Sequence, residues 1–138
     1  MPKDKRKVVG SFETILFTEF NNYTACAKID TGAYTGALHC TKVFEEKDSK
    51  GRAVLKFSPF DHPEIVMETR KFSAKDVKSS NGSKQERYFI KTKIKLQGVI
   101  YPITISLADR AEMRYEVLIG RRFLQKYNFL VDVNRGKK

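Results

Sequence analysis

The chain has 138 residues, 41% hydrophobic and 31% charged, which fits one domain with its own core and excludes a disordered tract. No apolar run approaches the roughly 18 residues of a membrane span, and no apolar signal segment follows the start "MPKDKRKVV", so a cytoplasmic protein with no membrane partner is expected. Of the formal charge of +11, Lys3, Lys5, Arg6 and Lys7 less Asp4 give +3, and Arg135, Lys137 and Lys138 another +3; the remaining +5 on the body can attract acidic partners but defines no nucleic-acid stripe.

Strand periodicity dominates. One domain, 8–134, is expected between basic tails at 1–7 and 135–138. Residues 12–17 and 23–29 read as two strands leading to Asp30, and 37–45 and 52–58 as a hairpin around "KDSKG". "EIVMET", 64–69, reads as a short strand and "SSNGS" as a loop. In 88–96, Tyr88, Ile90, Thr92, Ile94 and Leu96 alternate with a face of lysines that only Phe89 interrupts. Val99, Tyr101, Ile103, Ile105 and Leu107 alternate again, so Gln97-Gly98 is a hairpin tip. Pro102 lacks an N–H and predicts an edge position or an unpaired backbone site. After Gly120, "RRFLQKYN" puts Phe123, Leu124 and Tyr127 on one helical face, and "FLVDV" returns as a last strand. The sum is an all-β domain with one short C-terminal helix.

The stretch "AKIDTGAYTGALHC", 27–40, carries the candidate chemistry. An acid at the end of a half-buried strand costs free energy unless its charge or proton is used. Asp30-Thr31-Gly32 alone is equally a β-turn in which Asp30 bonds the backbone ahead of it. More is present: an alternating strand precedes the triplet, Ala33 follows it, and "VLIGRRFL" places a glycine where another segment of backbone must pass closely. Cys26 and Cys40 have no CxxC spacing and read as reduced, apolar residues. There is no HExxH. The chain's two histidines are His39 and His62, and His39 and Cys40 are strand neighbours that point to opposite faces, so no metal site is expected. No glycine-rich loop followed by Lys-Ser or Lys-Thr is present, so no nucleotide cofactor is expected either.

Asp30-Thr31-Gly32-Ala33 together with Leu118-Ile119-Gly120-Arg121 resembles the retropepsin pattern of aspartic proteases. More closely, "AKIDTGAYTGALHC", "ERYFI", "ISLADRAEMRYEVLIGRRFL" and "FLVDV" resemble the bacterial retropepsin-like family labelled ATP-dependent zinc proteases, from about Val8 to Val133. Tyr34 stands where that pattern usually has a basic residue, and Gly36 where it has serine. The resemblance implies a closed β-barrel-like acid-protease fold and a homodimer, with Asp30 of each chain near the two-fold axis, Thr31 locking the loops and Gly32 allowing their approach. It implies hydrolysis of a peptide or protein substrate by a water that the paired Asp30 residues activate. Ala33, Arg87, Arg110 and Arg121 then become candidate substrate contacts, with Asp109 and Gly120 as supports near the site. Arginine holds a carboxylate at two points, which fits acidic or glutamate-rich peptides. Two other readings stand beside this one: a non-catalytic module that binds a peptide or partner chain by strand addition, and a small basic barrel binding nucleic acid. The second lacks an aromatic platform, so a nucleic-acid partner is not expected.

Overall fold

The structure is a computed structural model and describes residues 7–78, 82, 84–108 and 115–136. After β1 (Val8–Val9), the first two expected strands form at the bounds read from the sequence, β2 (Phe12–Phe17) and β3 (Tyr23–Ile29), and pair antiparallel. β4 (Gly36–Lys47) and β5 (Ala53–Pro59) make the next hairpin. Its turn is organised by Asp48, whose carboxylate accepts the amides of Lys50 and Arg52, each at 2.9 Å. The Arg52 amide is the main reason that carboxyl sits below its usual pKa. The expected strand at 64–69 shortens to β6 (Met67–Thr69), which pairs with β5 alone; Ile65 and Val66 ahead of it are exposed.

β7 (Phe72–Lys78) and β8 (Lys84–Leu96) form a long hairpin, and β9 (Val99–Ala108) follows the predicted tip, where Gln97 and Gly98 have φ of 50° and 81°. Those dihedrals suit the right-handed twist of a two-residue hairpin turn. Phe89, the apparent misfit on β8, is half-buried, with the Lys75 ammonium of β7 over its ring. Pro102 pairs with Lys93 on one side, while β4 joins the other side of β9 only from Ser106 to Ala108. The proline therefore sits where β9 has one neighbour, as its missing donor requires. Its carbonyl takes the Tyr127 hydroxyl at 2.9 Å.

β10 (Val117–Ile119) closes the barrel. It lies parallel to β3 and antiparallel to β4, so β10, β3, β2, β8, β9 and β4 form a ring of six strands. The alternating residues Ile15, Phe17, Ala25, Ala27, Ile90, Ile94 and Ile105 point into it and are almost fully buried. Each of these isoleucine or phenylalanine side chains contributes about 1.5–3 kcal/mol against leaving it in water, and the alanines less. Outside the ring, α1 (Arg121–Lys126) packs Phe123 and Leu124 inward, and β11 (Leu130–Val131) pairs parallel with β1. Phe123 meets Tyr101 edge-on at 5.5 Å and stacks on Phe129 at 5.7 Å, which fixes the helix on the barrel wall.

Two tyrosines record how the ends of the strands are packed. Tyr23, stacked on Phe60 at 4.1 Å, is pushed up to about 12 by burial and by its hydrogen bond to Glu116. Tyr88 is pushed up to about 12 by burial and by Glu86. A raised phenol favours the protonated form in the folded chain, so the stability this gives is intact below pH ~10 and is lost as pH rises towards ~12. Absorbance titration should show two of the six tyrosines ionising late, with the melting temperature falling over that window. Six phenols titrating together near 10 would mean these contacts do not persist in solution.

Candidate active site

Asp30 stands at the mouth of the barrel, one residue beyond β3. Its amide donates to the Ile119 carbonyl of β10 at 2.8 Å, continuing the parallel ladder by one bond. The next three residues turn sharply. The Ala33 amide reaches back to the Asp30 carbonyl at 3.2 Å, and the Gly32 amide donates to Asp30 Oδ1 at 2.9 Å. The turn reading of the triplet is thus correct as far as it goes. Among the described residues Oδ2 takes no hydrogen bond, and it belongs to a half-buried residue whose followers Thr31 and Gly32 are exposed.

The downstream glycine segment holds this turn from beneath. The amides of Arg121 and Arg122, which a helix start leaves without intrahelical partners, donate to the carbonyls of Ala33 and Tyr34 at 2.8 and 2.9 Å. Arg121 Nη1 donates to the carbonyls of Thr31 (3.0 Å) and Gly32 (3.2 Å), and its guanidinium lies 5.8 Å from the centre of the Tyr34 ring. Neither arginine suits the positive end of a helix, so α1 is held by its buried Phe123 and Leu124 and by these loop carbonyls rather than by its own dipole.

Two glycines permit the approach. A Cβ on Gly120 would lie 2.4 Å from the Tyr34 carbonyl oxygen and 2.7 Å from that of Ala33. Gly36 has φ +87°, and a Cβ there would lie 2.3 Å from the Leu118 carbonyl oxygen. The departure from serine at Gly36 therefore comes with a local backbone that a side chain would strain. The Gly36 carbonyl is fixed in turn by the buried Ser106 hydroxyl at 2.6 Å. Ser106 was not foreseen as a support, because its place in the alternation of β9 belongs to the polar phase.

Of the candidate residues, Asp30, Thr31, Gly32, Ala33, Gly120 and Arg121 come together at this turn. Arg87 stands instead on the β7–β8 hairpin, opposite Lys75, and makes no hydrogen bond or ion pair to the turn. Asp109 and Arg110 lie outside the described residues. Beside Thr31 and Arg121 opens a cleft of about 480 Å³ bordered by Leu124, Phe129 and Val131.

The possible metal donors do not converge. His39 is buried, with Nε2 2.9 Å from Asp61 Oδ1, and His62 Nδ1 is 3.2 Å from Glu64. Among the described residues no three His, Cys, Asp or Glu side chains gather as a metal-holding group, so the donor set does not fit the zinc of the family label. Among the described residues, too, no helix is long and apolar enough to cross a membrane.

A closed six-stranded barrel that presents an Asp-Thr-Gly turn over a glycine-led helix defines the retropepsin-like class. The chain belongs to the RimB-like family, described as retropepsin-like aspartic endopeptidase RimB, whose model matches residues 8–137. The chain is similar to the crystal structure of Lpg0085 (DUF785) from Legionella pneumophila, a protein of unknown function, with TM-score 0.74 and 27% identity over 93% of this chain and 94% of that one. It is also 25% identical over 122 residues to a "Probable alpha-L-glutamate ligase" of Shewanella pealeana and 28% identical over 120 residues to one of Desulfotalea psychrophila. The matches cover 86% and 84% of this chain but 27% and 26% of those proteins, so the chain spans about a quarter of the length of the curated relatives it matches.

Proposed function

We propose that the chain is an aspartic-type peptidase that hydrolyses peptide or amide bonds through a water activated by the Asp30 residues of two subunits. The observation that carries this reading is the Asp30 turn. One carboxylate oxygen is committed to Gly32, the other takes no hydrogen bond from the described residues, and the backbone around them is held by bonds from β10, α1 and Arg121. Such a mount makes a fixed carboxylate at an accessible mouth, which a structural turn does not need. A single carboxylate cannot both activate water and protonate a carbonyl. Two in contact share one proton, so the charged member takes a proton from water while the protonated member donates to the substrate carbonyl. In this reading Thr31 and Gly32, exposed in the single chain, meet their counterparts across a two-fold axis.

Activity should therefore rise and fall with dimer content. Light scattering and activity measured over one dilution series should lose both together. An active monomer would remove the two-subunit mechanism.

We further propose acidic or glutamate-rich peptides as substrates. Relatives that contain a matching segment are named for joining glutamate, and Arg121 keeps N–H groups beyond those used on the turn. An acidic peptide should be cut faster than a basic one of equal length, with an advantage that shrinks as salt is added. Arg121→Lys should reduce that advantage, because lysine cannot hold a carboxylate at two points. Equal rates at low salt would end the substrate assignment and leave the Asp30 mechanism standing.

The non-catalytic reading draws on a different feature. Among the described residues β6 and β7 each pair on one side only, which leaves edges for a peptide to extend. Binding without turnover, unchanged in an Asp30→Asn variant, would favour it.

A further inference from the structure

The outer face of β8 carries cations that, among the described residues, no carboxylate pairs with. Lys91, Lys93 and Lys95 are exposed on alternate residues, so their side chains recur about every 7 Å along one line. Their partners across the ladder on β9 are Thr104, Pro102 and Ile100, and on the β2 side Lys95 faces Leu16. An acid directly opposite would stabilise such a column. Among the described residues no ion pair forms at Lys91, Lys93, Lys95, Arg122 or Lys126, whereas Arg52, Lys56 and Arg70 each have a carboxylate partner.

The column borders a concave site. Between the β8–β9 ribbon and α1 lies an open cleft of about 220 Å³, lined among others by Lys91, Pro102, Thr104, Arg122, Lys126 and Tyr127. Among the described residues three cations ring it and no acid does. Glu19, whose carboxylate takes the Thr92 hydroxyl at 2.9 Å, is not part of the lining. The cleft is separate from the Asp30 turn yet tied to it by α1. Arg121, at the start of the helix, clamps the turn; Lys126, at its end, lines the cleft; six residues of helix span about 9 Å.

We propose that this cleft and the lysine column form an anchoring site for an acidic peptide, outside the Asp30 turn. An extended peptide repeats its same-face side chains at the spacing of the β8 lysines, so carboxylates on alternate residues match the column in register. Single-stranded nucleic acid offers the same charge but needs exposed rings for its bases. The rings here are taken: Phe123 is buried, and Tyr127 has its hydroxyl on the Pro102 carbonyl and its ring beside the Lys126 ammonium. That the anchored peptide is also a substrate rests on the peptidase reading; the binding itself does not.

The test is fluorescence anisotropy with a labelled peptide of about ten glutamates at low salt, on the full chain. Lys91→Glu/Lys126→Glu should weaken binding tenfold or more, because two attractive contacts become repulsive. A charge-matched control, Lys47→Glu/Lys50→Glu in the β4–β5 hairpin, should weaken it less than twofold. Arg122→Gln should weaken it severalfold with a quarter of the change in net charge of either double variant, which separates a local contact from the general field. Running every arm in an Asp30→Asn background keeps the probe uncut, so binding is read whether or not the unaltered chain hydrolyses peptides. Equal losses in the two double variants would overturn the site, and so would a ten-residue oligonucleotide that bound more tightly than the peptide and lost its affinity with Lys91→Glu/Lys126→Glu.

Discussion

Replacing Asp30 by asparagine is expected to lower peptide hydrolysis by about a thousandfold or more while leaving the fold intact. The two effects separate because the turn uses Asp30 for its shape and the chemistry uses its proton. An asparagine Oδ1 still accepts the Gly32 amide at the 2.9 Å that aspartate holds, and the Asp30 amide still reaches the Ile119 carbonyl. The stability change should stay within about 1 kcal/mol, as for other surface substitutions that keep their hydrogen bonds. What asparagine cannot do is exchange a proton with water or a leaving amine. Parallel measurements of turnover and urea unfolding check both halves. Retained turnover would move the chemistry to another residue, and a large loss of stability would show that the carboxylate, not its shape, holds the turn.

The second large effect is structural. Gly120→Ala should destabilise the chain by about 3 kcal/mol or more, the upper range for overpacking, because both neighbours are backbone. The added Cβ would meet the carbonyl oxygens of Tyr34 and Ala33 at 2.4 and 2.7 Å, and neither can swing aside as a side chain would. Relief requires the Asp30 loop to lift from α1, which stretches the Arg121 and Arg122 amide bonds to the same two carbonyls. Activity should therefore fall even at temperatures where the variant remains folded. Urea unfolding gives the first quantity and a rate assay on the folded fraction gives the second. A variant with unchanged midpoint and unchanged rate would mean the loop and helix are not packed as described.

Much of this architecture is legible in the sequence wherever one face of a strand is wet. β2 and β3 could be bounded to the residue, and the tip at Gln97-Gly98 placed, because buried and exposed positions alternate cleanly. β10 escaped because it is three residues long and all three, Val117, Leu118 and Ile119, are apolar, so no alternation shows in the sequence although Leu118 is only half-buried. β7 escaped for the opposite reason: "FSAKDVK" pairs only with β8, and Ser73, Ala74, Lys75 and Asp76 are all exposed, so the segment carries no apolar stripe. At the site, the triplet and Gly120 announce themselves by residue type. Arg121 was foreseen as a contact for substrate, yet its visible bonds run to the carbonyls of Thr31 and Gly32. No local pattern reports that a guanidinium will turn back on a loop some ninety residues earlier in the chain. Ser106 shows the same limit, since burial of β9 at that point depends on where β4 crosses.

The most direct test of paired Asp30 residues is to mix the unaltered chain with the Asp30→Asn variant, allow subunits to exchange, and measure hydrolysis against the mixing ratio. If each active unit needs both carboxylates, activity follows the square of the unaltered fraction, so an equal mixture retains about one quarter of the starting rate. A linear decline, with about one half of the rate left in the equal mixture after complete exchange, would show that one Asp30 suffices and would contradict the mechanism.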